Sequence, residues 1–299
     1  MQMLFKFLSH WPLWALRALG WLLGWAVWLV SARYRSQAAQ SLSDAMASPT
    51  AAALGLGPSR RRQILRSARA EAGLLVSELP KIWCDPSVLD RLRVIGLEAA
   101  QAAAARGSGV VFLTPHLGAF ELAPRLLARA VAPITVLYRP ARKAAMERLL
   151  QALRPTPGVR AVPANGSGVR QMMRALRAGE AIGMLPDQVP TLGDGLWSES
   201  WGRPAYTMTL PLRLAESAGA ALFWVVILRV PGGWEMRISA WSPSGETLEE
   251  RVRDMNRACE RLILQAPSQY LWAYNRHKQP VYRGQAGHRS VIAQSEAGA

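Results

Sequence analysis

Cysteine, histidine, lysine and acidic residues are all scarce in this 299-residue chain, and each shortage removes a class of function. The two cysteines, Cys84 and Cys259, make no CxxC pair and no disulfide framework, and so small a number points to a reducing compartment. Four histidines, dispersed at positions 10, 116, 277 and 288, add no ligand cluster to them, so no metal site is expected. No G-x-S-x-G elbow offers a serine nucleophile. Gly55-Leu56-Gly57 lacks both the third glycine and the preceding strand of a dinucleotide-binding turn. No internal repeat of about 20 to 50 residues is present. Twenty acidic residues face thirty-six basic ones, a formal charge of +16, and only Lys6, Lys81, Lys143 and Lys278 among the basic residues are not arginine. The planar guanidinium suits phosphate and carboxylate, so the balance points to an anionic partner: nucleic acid, an acidic protein or a phosphorylated lipid. Codon bias in a GC-rich genome would raise arginine without any such partner. No helix-turn-helix, RNP-like or zinc motif accompanies the charge, so nucleic acid is not the expected partner.

What is present is a chain 50% hydrophobic and 19% charged, long enough for one large domain or two small ones. It is too apolar to be disordered and too polar for many membrane spans. The apolar residues concentrate at the N-terminus. From Leu4 to Val30 the run includes Trp11, Trp14, Trp21, Trp25 and Trp28, and Lys6, Ser9, His10 and Arg17 interrupt it. A bilayer span takes about 20 residues. Ala18 to Val30 falls short alone, but Pro12 to Val30 reaches across, or lies deep in one leaflet, if Arg17 snorkels to the headgroups. Three readings compete: a membrane anchor, spanning or monotopic; a signal peptide cleaved near Val30-Ser31-Ala32; and a buried core helix. Arg33 and Arg35 disfavour export and put the rest of the chain on the cytoplasmic side, so the anchor is the reading adopted. The expected organisation is an anchor over 1–35, a weak helix plus linker rich in Ala, Ser, Gly and Pro over 36–59, the main domain over 60–283 and a flexible tail over 284–299.

In the main domain, Ser59 can cap a basic amphipathic helix from Arg60 to about Leu79, which either touches anionic lipid or packs as an ordinary helix. Strands are expected at Leu92–Ile95, Val110–Leu113, Ile134–Tyr138, Val159–Val162 and Ala181–Leu185. Helices are expected between them at Glu98–Arg106, Gly118–Ala130, Ala141–Leu153 and Val169–Ala178. A Gly/Trp-rich loop (189–204), a helix over Tyr206–Ala218, a hairpin of Ala221–Val230 and Trp234–Trp241, and a long helix over Glu246–Gln265 complete the pattern. Such alternation predicts an α/β fold: a central, mostly parallel sheet flanked by helices, with an N-terminal membrane-anchor helix.

Chemistry concentrates after the strand Val110–Leu113, at Thr114-Pro115-His116-Leu117-Gly118-Ala119-Phe120-Glu121. Strand ends that meet helix starts are where open α/β sheets hold ligands. On one helix, His116 and Glu121 would stand about 140° apart at roughly 100° per residue, so they meet only if His116 sits on the turn before the helix. Pro115 and Gly118 can make that turn. Glu121 would then accept one imidazole N–H and fix the tautomer, leaving His116 as general base. The alternative is a satisfied structural histidine.

The sequence here resembles the glycerolipid-type acyltransferases, which carry His-x4-Asp/Glu after an apolar strand. Further blocks narrow the resemblance to the late lipid A acyltransferases. Tyr138-Arg139-Pro140 is similar to the second block of that family. Gly179-Glu180 with Gly183-Met184-Leu185-Pro186-Asp187-Gln188 resembles the third, Gly202-Arg203-Pro204-Ala205 the fourth, and Gln269-Tyr270-Leu271-Trp272 the start of the last. The resemblance implies a glycerolipid-acyltransferase-like fold and transfer of a fatty acyl chain from acyl carrier protein, or from acyl-CoA, to a hydroxyl of an anionic lipid A precursor. It implies a bacterial inner-membrane location with the catalytic part on the cytoplasmic side, and no cofactor or metal. The last block departs from the family: Tyr274-Asn275-Arg276 stands where His-Arg-Arg is usual. Pro115 and Trp201 replace the usual Asn and Phe. The departure in the last block leaves the acceptor open to a glycerophospholipid or an aminolipid.

Beside His116 and Glu121, the expected substrate-binding residues are Arg139, Asp187, Gln188 and Arg203. Arg139 could reach a phosphate of either substrate or join an ion pair; Asp187 and Gln188 could hold the acceptor, organise the site or form a structural turn; Arg203 could contact phosphate or be a solvated loop residue. Trp197 and Trp201 could line an acyl groove or pack in the core, and Arg276, His277 and Lys278 read as a solvated basic end. The non-enzyme alternative is a membrane-anchored basic protein that binds nucleic acid or anionic lipid.

Overall fold

The computed structural model describes residues 2–56, 58–138 and 156–282. The helix expected over 141–153, Arg139 and the tail from 284 lie outside them. Strands β1 (Leu92–Ile95), β2 (Val110–Leu113), β3 (Ile134–Tyr138), β4 (Val159–Pro163) and β5 (Ala181–Met184) fall where the sequence put them. A short hairpin of β6 (Gly195–Ser200) and β7 (Arg203–Met208) comes next, then β8 (Ala221–Val230) and β9 (Gly233–Trp241). Apart from β6 and β7 they form one sheet in the order β1-β9-β8-β2-β5-β3-β4. Neighbours run parallel except β8 and β9, an antiparallel pair turned at Pro231-Gly232.

Burial tracks the two-residue strand period. Val110 and Phe112 of β2, with Phe223, Val225 and Ile227 of β8, face one core layer; Val111 and Leu113, with Trp224, Val226 and Leu228, face the other. Both faces are covered, which is why β2 reads as an unbroken apolar run. The first layer is closed by α7 (Leu97–Ala105) and α8 (Ala123–Ala130). The second is closed by α9 (Gly166–Arg177), α10 (Leu210–Ala218) and α11 (Leu248–Gln265), the last started by a Thr247/Glu250 capping box.

Four expectations need correction. The helix from Arg60 to Leu79 is two helices, α5 (Pro58–Ala68) and α6 (Glu71–Cys84), broken at Arg69-Ala70. Residues 36–59 are largely helical, in α3 (Ala32–Met46) and α4 (Pro49–Ala53), with Ser31 and Ser48 accepting hydrogen bonds from Tyr34 and Ala51 N–H as N-caps. The Gly/Trp-rich loop is the β6–β7 hairpin, and Tyr206 to Met208 belong to β7 rather than to a helix. Its turn puts Trp201 at φ 53° and Gly202 at φ 73°. Two positive φ values match the twist of a two-residue hairpin, normally made by Asn-Gly. Trp201 holds this conformation with its N–H on Glu260 Oε1 (2.6 Å) and its ring against Trp272.

The fourth correction concerns the N-terminus. After α1 (Gln2–Ser9), α2 (Leu13–Val30) runs antiparallel along the whole of α6. A Cβ on Gly73 would meet the Gly20 carbonyl oxygen at 2.0 Å and Gly24 N at 2.3 Å, so only glycine permits this approach. Arg17 does not snorkel. Its Nε pairs with Glu78 Oε1 (2.8 Å), and its Nη1 and Nη2 donate to the carbonyls of Val230 and Gly233, each at 2.7 Å. Glu78 Oε2 accepts from Arg229 Nε (2.7 Å), and Arg229 Nη1 pairs with Glu71. Burial pushes the Glu71 carboxyl up to about 8, against the lowering effect of Arg229. Gly73→Leu is expected to lose at least about 3 kcal/mol of unfolding free energy, because backbone faces backbone and no side chain can yield. Urea denaturation followed by tryptophan fluorescence measures it.

Candidate active site

Strands β2 and β5 are parallel neighbours, with Leu113 opposite Met184. Their C-terminal ends therefore release Thr114-Pro115-His116 and Pro186-Asp187-Gln188 side by side. Thr114 N–H still donates to the Met184 carbonyl (3.1 Å), so the two chains part just before the functional side chains. Gly118 then turns the loop at φ 60°, where a Cβ would lie 2.0 Å from the Ile227 oxygen. Gly118 N–H donates to the Gln269 carbonyl and Ala119 N–H to Ile227, both at 2.9 Å. The histidine loop is thus clamped between β8 and the last block.

Asp187 is buried and receives three hydrogen bonds. The backbone N–H of His116 donates to Oδ2 (2.8 Å), Tyr270 Oη–H to the same oxygen (3.1 Å), and the imidazole Nδ1 lies 2.8 Å from Oδ1. Burial alone would raise its pKa; the adjacent His116 imidazole and these hydrogen bonds hold it below the ordinary carboxylate value. An ionised Asp187 only accepts, so Nδ1 carries the proton and Nε2 keeps its lone pair. That lone pair accepts from the Gln188 amide at 3.0 Å. Phe120 packs edge-on against the ring, with centroids 5.0 Å apart. Burial, and then Asp187, push the Tyr270 phenol well up, so it stays a donor.

The group opens on a cavity of about 390 Å³, lined by His116, Asp187 and Gln188 and, on the apolar side, by Ala72, Leu75 and Val76 of α6. Such a trough suits an aliphatic chain brought up to a base.

The expected partner of the imidazole was Glu121; the Nδ1 hydrogen bond goes to Asp187. Glu121 lies in the single 3-10 turn Phe120–Leu122, and its Oε2 accepts from Trp83 Nε1 at 3.3 Å. The adjacency of β2 and β5 explains the difference: it brings a carboxylate from 71 residues away to the ring. Gln188, expected on substrate, touches the imidazole. Arg203 is half exposed, pairs with Asp44 of α3 and does not line the cavity. Trp201 belongs to the core and Trp197 is exposed against Tyr206. Arg276 is no solvated end. It is buried, with Nη1 on the Tyr206 carbonyl (2.7 Å) and Nη2 on Thr207 Oγ1 (2.5 Å). Tyr270 and Tyr274 had no assigned role; Tyr274 lines the cavity, and its Oη accepts from Val189 N–H at 2.8 Å. Only the density of aromatic residues in 270–274 could have marked them.

A parallel sheet whose strand ends present a carboxylate-held imidazole to an apolar cavity defines an α/β enzyme-type site for a greasy substrate. The profile of the bacterial lipid A biosynthesis acyltransferases matches residues 3–279, and the chain belongs to that family. A lipid A biosynthesis acyltransferase of Haemophilus influenzae is 28% identical over 190 residues, 61% of this chain and 58% of that protein, less than two thirds of its length. The lipid A biosynthesis lauroyltransferase of Escherichia coli is 25% identical over 227 residues, 73% of this chain and 72% of the relative. The palmitoleoyltransferase of the same organism is 26% identical over 224 residues, with the same coverage.

Proposed function

We propose that this protein is a membrane-bound O-acyltransferase that moves a fatty acyl chain from an acyl thioester, carried by acyl carrier protein or coenzyme A, to a hydroxyl of a lipid A precursor. One observation carries the reading: the His116 ring lines an apolar cavity, with Nδ1 on buried Asp187 and the Nε2 lone pair on the Gln188 amide. The acceptor hydroxyl displaces the Gln188 amide and donates its hydrogen bond to Nε2. As its oxygen attacks the thioester carbonyl, its proton passes to Nε2, and Asp187 stabilises the imidazolium so formed. The tetrahedral intermediate collapses with cleavage of the C–S bond. The thiolate leaves and takes up the proton from Nε2, and the ester is made with no acyl-enzyme. Gln188 returns to the ring when product departs. Arg139, which follows β3 in the sequence and lies outside the described residues, is assigned to a substrate phosphate. Glu121, through Trp83, positions the turn behind His116. With a cytoplasmic thioester as donor, the reading puts the site on the inner face of the bacterial inner membrane.

Mass spectrometry of total lipids from cells with and without the protein tests this reading. One added acyl chain on a lipid A species is the expected result. The same gain on a glycerophospholipid or an aminolipid would replace the acceptor, and no acylated product at all would overturn the proposal.

A further inference from the structure

We infer that α1 and α2 lie in the plane of the membrane, embedded in one leaflet along their length, and that α2 does not cross the bilayer. The inference deepens the membrane-bound reading above, but its test needs no catalysis.

By length and apolarity alone, α2 could span. Its packing argues otherwise. Leu13 joins Ile82 in one core layer, Arg17 bonds Glu78, Gly20 meets Gly73 and Ser77, Gly24 meets Ala70, and the Trp28 ring lies 5.0 Å from the Arg69 guanidinium. One side of α2 is therefore covered by protein from its first turn to its last. A spanning α2 would carry α6 into the hydrocarbon with it, together with the β8–β9 turn that Arg17 grips and the exposed Arg93 and Arg237 beside it. Hydrocarbon tolerates neither open sheet edges nor exposed guanidinium groups.

The opposite side of α2 is bare. Trp14, Ala18, Trp21, Leu22 and Leu29 recur at helical spacing on one stripe, and Trp14 is 75% exposed. On α1, Met3 and Phe7 are exposed as well. An apolar stripe running the full length of a helix, rich in tryptophan and backed by protein, fits the headgroup–acyl boundary of one leaflet. The charge agrees: Arg33 on α3 and Arg60, Arg62 and Arg66 on α5 are exposed near the ends of α2 and α6, placed for anionic headgroups. Ala72, Leu75 and Val76, which wall the cavity, lie on α6 itself, next to the face that α2 covers. In-plane seating thus sets the cavity beside the leaflet, and a lipid acceptor reaches His116 without leaving the membrane.

Single cysteines at Trp14→Cys, Leu22→Cys and Val30→Cys, in the full chain with Cys84→Ala and Cys259→Ala, are spin-labelled in phosphatidylethanolamine/phosphatidylglycerol vesicles. Depth is read from collision with oxygen against a water-soluble nickel chelate. Three labels at one shallow depth are expected. A label at Leu22 deep at the midplane, between shallow neighbours, would overturn in-plane seating. Three labels in water would overturn membrane contact while leaving the acyl-transfer reading standing. Should the cysteine substitutions prevent folding, epitopes appended to the two ends of the unaltered chain serve in intact spheroplasts. Both epitopes shielded from external antibody is the expected result, and exposure of one end alone refutes it.

Discussion

Asp187→Asn is expected to lower kcat by about 10²–10⁴-fold and to change KM far less. Asp187 receives three donors: two at Oδ2, from His116 N–H and Tyr270 Oη–H, and the imidazole Nδ1 at Oδ1. An asparagine can accept at only one of these places. With its oxygen kept under the two fixed donors, its amide NH₂ faces Nδ1 and can bond only to a lone pair there. The ring must then protonate at Nε2, the atom required to take the proton from the acceptor. Steady-state kinetics with a defined acyl thioester and a lipid acceptor measure the effect. A mainly raised KM at normal kcat would instead make Asp187 an acceptor-binding residue, one of the roles open to it from the sequence.

Arg229→Met is expected to remove about 3–5 kcal/mol of stability, more than its area explains. Arg229 is the cation between two buried carboxylates, Glu71 and Glu78, and Arg17 is shared by Glu78 and the β8–β9 turn. Methionine fills the space but strips the Glu71 carboxyl of its hydrogen-bond donor and buried Glu78 of one of its two cations. The methionine variant also loosens α2, because Glu78 holds Arg17. This cluster titrates. Burial raises Glu71 from 4.5 to about 8, so the folded state binds a proton that the unfolded chain releases between those values. Stability from Glu71 is therefore fully present below about pH 4.5 and declines as pH rises toward 8. Glu71→Gln keeps the hydrogen bonding and removes the titration, so its urea midpoint is expected to vary less across that range. Equal slopes in the two proteins would contradict the assignment.

The limits of sequence reading come from which contacts are local. The strands from β1 to β5 were legible because each is a short apolar run closed by glycine, proline or a polar turn, and the β8–β9 pair because Pro231-Gly232-Gly233 marks its turn. His116 stood out as the one histidine at a buried strand end. Its partner did not, since the order of strands in a parallel sheet leaves no mark within any one strand; the adjacency of β2 and β5 alone brings Asp187 to the ring. The β6–β7 hairpin was hidden because Trp201, not Asn or Gly, takes a positive-φ position, held there by donating its N–H to Glu260 far along the chain. Arg17 and Arg276 look like solvated charges until their partners, Glu78 and the Tyr206–Thr207 backbone and hydroxyl, are brought to them by the fold. In each case a local pattern identified the residue, and only the packing of distant segments identified what it bonds.

The role of His116 is tested most directly by single-turnover acyl transfer with His116→Ala, purified in the same detergent as the parent and matched to it in secondary structure and vesicle binding. Ester formation is expected to fall by at least about 10²-fold, with vesicle binding unchanged. Transfer at close to the parental rate would show that another group removes the acceptor's proton.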